Sequence, residues 1–156
     1  MEQHWLEILT PIGPILLIGT DRAITAINLN GHGTRPGSRP RPNALLRRAE
    51  QQLGEYFSGT RKEFDLPVAP VGTDFQHRVW KVLQMIPFGQ TRSYGEIARV
   101  AGNPAASRAV GSACRSNPLP IVIPCHRVVG TNGHLTGFGG GLDRKAWLLQ
   151  HEGSDV

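Results

Sequence analysis

Apolar positions along the 156-residue chain keep two rhythms, alternation and unbroken runs in the first half and helical spacing in the second. Trp5 to Thr10, Ile15 to Thr20 and Ala23 to Leu29 alternate or run apolar, with Pro11-Ile12-Gly13-Pro14 and Asp21-Arg22 as turns between them. Such patterning predicts three strands of a small antiparallel meander. The stretch from Asn30 to Pro42 is rich in Gly, Pro and Arg and predicts a mobile, partly disordered loop. Asn43 then offers an N-cap to a helix carrying Leu46, Ala49, Leu53 and Phe57 to one side, and Gly59 suits its stop. Glu63 to Val68 predicts one more strand, and the prolines and glycine between Pro67 and Gly72 interrupt every pattern. A domain boundary is expected there, with an α/β domain over 1–70 and a mainly helical domain over 71–156.

In the second half Thr73 and Gln76 form a capping box, and Phe75, Val79, Leu83 and Ile86 recur with helical spacing up to Pro87. Ser93 and Glu96 form a second box, opening a short helix over Tyr94 to Ala101 that Gly102 can end in a left-handed conformation. Asn103 as N-cap and Pro104 as first residue predict another helix from Pro104 to about Ser116, stopped by Asn117-Pro118. Two short helices on a tight turn predict a helix-turn-helix. Ile121-Val122-Ile123 predicts a buried strand that ends at Pro124 and holds Cys125 at a rigid end.

Composition changes this picture in one respect. Seventeen Lys and Arg against twelve Asp and Glu give a net charge of +5 and a pI near 9.9, which favours a polyanionic partner if the arginines gather on one element. On the helix after Pro104 they do: Ala106, Val110, Ala113 and Cys114 share one face, and Arg108, Ser112 and Arg115 share another. With Ala, Ser and Gly around its arginines, this helix favours close backbone approach over base reading, hence sequence-independent binding. The motif alone fits a helical hairpin with solvated arginines equally well. Tyr94, likewise, reads as a surface aromatic or a site residue. Two cysteines ten residues apart make neither a zinc ribbon nor a disulfide scaffold, so a reducing, cytoplasmic setting is expected. Met1 to Trp5 lacks a basic leader pattern, and the apolar stretch Ile12 to Ile18 is too short to cross a bilayer, so no membrane role is expected.

The remaining chemistry centres on Cys125-His126-Arg127-Val128. A thiol near its unperturbed pKa of about 8.5 is mostly protonated at neutral pH, and a base or cation beside it raises the thiolate fraction. Cys-His adjacency is by itself more often structural than catalytic. Ser107-Arg108-Ala109-Val110-Gly111, Asn117-Pro118 and Ile123-Pro124-Cys125-His126-Arg127-Val128-Val129 nevertheless occur in one order, followed by Gly137-Phe138-Gly139-Gly140-Gly141-Leu142 and Trp147 to Gly153. Through these segments the chain from about Phe75 to Gly153 resembles the O6-alkylguanine-DNA alkyltransferase (methylated-DNA-protein-cysteine methyltransferase) family. The first half matches more loosely, as a small strand-and-helix domain like that family's ribonuclease H-like one.

The resemblance implies an α/β fold class: a small ribonuclease H-like N-terminal domain packed on a mainly helical, winged-helix-like C-terminal domain with the helix-turn-helix. It implies direct, single-turnover DNA repair, in which an alkyl group moves from O6-alkylguanine to Cys125, with His126 acting through a water as base and Glu152 orienting its imidazole. Asn117 would brace the active-site turn. Tyr94 would donate to guanine N3 and help rotate the target phosphate, while Arg108 would fill the gap left by the extruded nucleotide. The carbonyls of Cys125 and Val128 would accept from the guanine amino group, with Phe138 against the ring and the Gly139 amide near O6. Ser107, Ala109, Ser112 and Arg115 would join Arg108 on DNA. Phe138 stands where many relatives have tyrosine, and Gly139 where some have serine, which opens the pocket to bulkier alkyl groups. Cys114 reads as a buried small hydrophobe, with a pocket-lining role as the alternative. The expected partner is alkylated double-stranded DNA, bound by a monomer, with no cofactor and no metal; cooperative binding and O4-alkylthymine repair stay open. A non-catalytic lesion-binding module and a thiol hydrolase are the rival readings.

Overall fold

In the computed structural model, which describes residues 2–154, the first strand, β1 (His4–Thr10), pairs antiparallel with β2 (Gly13–Gly19), and β2 with β3 (Ile24–Leu29). β2 is central, and Ile15 to Ile18 are all buried, which explains why this strand reads as an unbroken apolar run rather than an alternation. Helix α1 (Ala44–Phe57) packs on β1 and β2 through Leu46, Ala49, Leu53 and Tyr56. Its Asn43 cap accepts from the Leu46 amide at 2.9 Å, and Gly59 follows at a φ of 86°.

Two expectations for this part are corrected. Glu63 to Val68 is not a strand. Only Val68 bridges to Ile24, because Pro67 and Pro70 lack the amide donors a ladder requires, and Gln52 instead binds the Asp65 main chain on both sides. The Gly, Pro and Arg-rich loop is tied down at several points. Arg41 exchanges both main-chain hydrogen bonds with Trp5, and Arg35 pairs with Glu7 while its guanidinium lies 5.5 Å from the Trp5 ring centroid.

The chain divides into two compact units, the second starting at Gly72. Helix α2 (Asp74–Leu83) opens with the Thr73/Gln76 capping box and buries Val79, Trp80 and Leu83. Trp80 donates from Nε1 to the Ala113 carbonyl at 2.9 Å, fastening α2 to the helix that follows the tight turn. A two-residue strand, β4 (Arg92–Ser93), leads into α3 (Tyr94–Val100), capped by Ser93 and Glu96. Helix α4 (Ser107–Arg115) starts three residues later than predicted. The Asn103 side chain accepts from Ala105 instead, closing a turn of its own, and Ala106 at the cap position has no side-chain acceptor to offer. Val110, Ala113 and Cys114 are buried and Arg108, Ser112 and Arg115 exposed, as the face pattern predicts.

The segment before the cysteine is also different from the prediction. Ile121 to Ile123 is a turn, not a strand: Ile121 has a φ of 75°, and Pro118, Pro120 and Pro124 remove donors on both sides. Cys125–Arg127 form one 3₁₀ turn, which runs into β5 (Val128–Val129), paired in parallel with β4. The last helix, α5 (Leu142–His151), has no counterpart among the expected elements. Among the described residues no helix is long and apolar enough to cross a membrane.

Candidate active site

Asn117, just past α4, shapes the turn that carries Cys125. Its Nδ2 donates to the Ile123 carbonyl at 2.8 Å and its Oδ1 accepts from the Leu119 amide at 2.9 Å. Together with the main-chain bond from the Ile123 amide to the Leu119 carbonyl at 2.8 Å, those two bonds hold Ile121 in its left-handed conformation. Cys125 itself is only 4% exposed. Burial pushes its thiol up to about 11, with the Asn117 hydrogen bond and the charge of Lys145 acting in the opposite direction. Cys114, on the buried side of α4, is pushed up to about 12 by burial and by Cys125. Both thiols are therefore protonated at neutral pH, and neither is a nucleophile without a base.

That base is adjacent. His126 is fully buried, and its Nε2 lies 2.7 Å from Glu152 Oε2 at the end of α5. Burial drives the imidazole below its ordinary pKa, against the pull of Glu152, so it is held neutral. Burial also pushes the Glu152 carboxyl up, but hydrogen bonds from His126 and Arg127 outweigh this and keep it well below the usual carboxylate range. An ionised carboxylate can only accept, so the imidazole proton sits on Nε2 and the lone pair on Nδ1. That Nδ1 is buried and has no hydrogen-bond partner among the described residues. It is a free proton acceptor one residue from the thiol.

Arg127 makes the arrangement rigid. Its Nε and Nη2 grip Glu152 at 2.7 and 3.0 Å, and its Nη1 donates to the Ile86 carbonyl at 2.7 Å. Sequence reasoning treated Arg127 only as a cation of suitable type beside Cys125; its fork on a carboxylate 25 residues away left no local sign. Lys145 was missed altogether. It is wholly buried, donating from Nζ to the Val128 carbonyl at 2.6 Å and the Thr136 carbonyl at 2.8 Å. Lys145, Leu148, Leu149 and Glu152 form one stripe at i, i+3, i+4 and i+7, and all four are buried, so two charged residues at core positions were the available signal.

Beside this cluster lies an open cavity of about 760 Å³ whose wall includes Tyr94, Ser107, Arg108, Arg115, Thr136 and Gly137. The Tyr94 hydroxyl donates to the Thr136 carbonyl at 3.0 Å and accepts from the Thr136 hydroxyl at 3.1 Å; burial pushes its pKa up, against that side-chain hydrogen bond, so it remains a donor. Arg115 leans over the loop, where a Cβ on Gly137 would come within 3.2 Å of its guanidinium. Ala109 and Ser112 are exposed on α4 outside the cavity wall. Phe138, half-buried, and Gly139, exposed, follow Gly137 on the same loop, and Val128 lies beneath it through Lys145. No group of three His, Cys, Asp or Glu side chains among the described residues could hold a metal ion.

A buried thiol, an oriented neutral imidazole and a helix-turn-helix with two arginines beside an open cavity define a protein that performs thiol chemistry next to a nucleic-acid-type surface. Comparison with known proteins makes the class specific. Residues 7–70 match the model of the 6-O-methylguanine DNA methyltransferase ribonuclease-like domain, and residues 74–154 that of its DNA binding domain. The chain belongs to the 6-O-methylguanine DNA methyltransferase family. It is 49% identical over 148 residues to the methylated-DNA–protein-cysteine methyltransferase of Methanosarcina acetivorans, covering 93% of this chain and 95% of that protein. With the Mycobacterium tuberculosis enzyme of the same name it shares 47% identity over 154 residues, 97% of this chain and 93% of the other. The crystal structure of the Mycobacterium tuberculosis protein in complex with DNA superposes with a TM-score of 0.89 at 48% identity, covering 96% of this chain and 92% of that one.

Proposed function

We propose that the chain repairs alkylated double-stranded DNA by direct reversal, taking the alkyl group of an extruded O6-alkylguanine onto Cys125. The observation that carries this reading is the unpartnered Nδ1 of His126, its tautomer set by Glu152, next to a thiol that needs deprotonation. The thiol proton passes to Nδ1 through one water. The sulfur then attacks the alkyl carbon in line with O6, the new S–C bond forms as the C–O6 bond breaks, and the electron pair leaves with the guanine. Tyr94 exchanges the Thr136 carbonyl for guanine N3 and donates a hydrogen bond there that offsets the charge on the departing base, and the proton taken up by His126 returns through water to neutralise that base. The Cys125 and Val128 carbonyls accept from the amino group, Phe138 covers the ring, and the Gly139 amide sits near O6.

Arg108 fills the space the nucleotide leaves, and Ser107, Ala109, Ser112 and Arg115 meet the backbone without reading sequence. The product thioether has no leaving group, so each molecule acts once, without cofactor or metal, and we place it in the cytoplasm. Intact mass after incubation with a duplex carrying O6-methylguanine tests the reading. A single added methylene unit, mapped to Cys125 and absent in Cys125→Ala while that variant still binds the lesion, is expected. An unmodified chain that binds lesions would make it a recognition module, and multiple turnover would make it a hydrolase; either result refutes single-use transfer.

A further inference from the structure

The open cavity beside Tyr94 carries charge of one sign on its wall. Helix α3 supplies Tyr94, Gly95 and Arg99 to that wall, and α4 supplies Arg108, Gly111 and Arg115. Among the described residues no Asp or Glu lines it. Arg108 and Arg115 stand on the second helix of the helix-turn-helix, where a DNA contact is expected. Arg99 stands on the first, in its last turn.

Neither the helix dipole nor Glu96 accounts for the place of Arg99. A cation in the last turn offsets the negative end of the dipole, but it does so from any exposed direction and need not line a cavity. Glu96 is one turn away, yet its Oε1 accepts from the Ser93 amide at 3.1 Å, and that main-chain bond is the foremost cause of its lowered pKa. No hydrogen bond or ion pair with a described residue engages the Arg99 guanidinium. Gly95 and Arg99 are four positions apart and share the cavity face of α3, while Ile97 and Ala98 are buried behind them. A Cβ on Gly95 would lie 3.9 Å from Ser107 Oγ, so the two helices approach closely at that point. The middle of the wall is thus bare main chain at Gly95 and Gly111, with arginines from both helices around it.

A surface of that kind suits a chain of phosphates: the glycines let it approach, and a guanidinium fork can take two oxygens of one phosphate. In a helix-turn-helix the first helix crosses the sugar-phosphate backbone while the second enters the groove. We propose that Arg99 binds a backbone phosphate of the duplex, so that both helices of the pair, and not α4 alone, hold the strand from which the base is extruded. The inference deepens the DNA-repair reading and rests on duplex DNA as the partner. Arg99 follows Tyr94 by about 7.5 Å along the axis of α3, on the order of two phosphate steps at roughly 3.4 Å each on one strand. Its phosphate therefore lies within a few nucleotides of the one being turned out, and the grip is blind to sequence.

Anisotropy titrations of an unmodified duplex between roughly 50 and 200 mM salt read the contact directly. Arg99→Ala should make the slope of log affinity against log salt shallower by about one unit, and Arg99→Lys, which keeps the charge, should restore it. In single-turnover transfer from an O6-methylguanine duplex, the half-saturating protein concentration of Arg99→Ala should rise by about threefold or more, with a much smaller change in the maximal rate. Duplexes carrying one neutral methylphosphonate at a time locate the phosphate: one position near the lesion should weaken binding by the parent and leave Arg99→Ala unaffected. An unchanged salt slope, a loss confined to the maximal rate, or the absence of any such position overturns the proposal. A parent whose affinity for duplex DNA does not depend on salt would refute DNA as the partner itself, and the same titrations show this before any variant is compared.

Discussion

Replacing Glu152 by glutamine tests the arrangement at its most connected point. One carboxylate accepts from His126 at 2.7 Å and from Arg127 at 2.7 and 3.0 Å, all fully buried. Glutamine keeps the shape but has one acceptor oxygen and no charge, so Arg127 is left buried with only the Ile86 carbonyl as a full-strength partner. Breaking a buried ion pair costs about 3–5 kcal/mol, and the retained amide oxygen places this change at the lower end, about 3 kcal/mol. At roughly 4 °C per kcal/mol for a unit of this size, Tm should fall by about 12 °C. The chemical effect is separate. With the charge gone and Arg127 competing for the one remaining acceptor oxygen, the imidazole proton is no longer fixed on Nε2, and the transfer rate should fall by about 10²–10⁴-fold, the range for loss of a general base. Thermal melting by circular dichroism and rapid-quench transfer well below the lowered Tm measure the two effects. A Tm drop under about 3 °C, or a rate within roughly threefold of the parent, would refute the reasoning.

His126 is held neutral by burial, so the native state resists a proton that the unfolded chain accepts below its ordinary pKa of 6.5. Its contribution to stability is complete above that pH and is lost as pH falls from there towards the lower folded value, by up to about 1.4 kcal/mol per unit; Glu152, also depressed, adds a second loss only below the ordinary carboxylate range. Urea titrations between pH 5 and 7.5 should show the first slope in the parent and a flatter one in His126→Asn, and equal slopes would count against a neutral buried imidazole. Trp80→Phe removes the donor to the Ala113 carbonyl and leaves a void, and should cost about 2–3 kcal/mol in urea unfolding, whereas a loss near zero would mean that this bond does not hold α2 to α4. Arg108→Ala should slow transfer from duplex DNA while barely altering the salt dependence of binding, and an unchanged rate would remove it from nucleotide extrusion. Because Gly139 is exposed, O6-benzylguanine should react at least as readily as O6-methylguanine, and a strong methyl preference would show that the loop is closed to bulk.

What could be read in advance was mostly what is local. Thr73 with Gln76 and Ser93 with Glu96 are capping boxes complete within four residues, and both helices begin where they indicate. Asn103 misled because its side chain can cap either a helix or a short turn, and only the packing of α4 decides between them. Ile121 to Ile123 carry strand-type side chains, but Pro118, Pro120 and Pro124 deny that segment the donors a ladder needs, and Asn117 bends it instead. The link between His126 and Glu152 spans 26 residues and has no local trace; it was legible through family resemblance alone. Helix α5 went unread for a related reason. Its inward stripe holds Lys145 and Glu152 at positions where periodicity looks for apolar side chains, so the residues that give the helix its function also blur the pattern that would reveal it.

The resting charge states suit a nucleophile that is used once. An exposed thiolate would react with any electrophile in solution and be lost to repair, whereas a thiol 4% exposed and raised to about 11 is nearly inert. Burial alone would make it inert towards the lesion as well. The structure resolves this conflict by burying the base together with the thiol: His126 is neutral and oriented, Glu152 is ionised and gripped by Arg127, and the Lys145 amine, its pKa pushed down by burial, is held by the Val128 and Thr136 carbonyls. None of these groups must cross from solvent when a base enters. On the proposed pathway the Tyr94 hydroxyl, which donates to the Thr136 carbonyl at 3.0 Å, is the group that changes partner, to the incoming ring. Selectivity then lies in access, because an electrophile that cannot enter flanked by Tyr94 and the 130–141 loop meets a protonated thiol, while an extruded guanine carries its alkyl carbon to the one place where deprotonation is prepared.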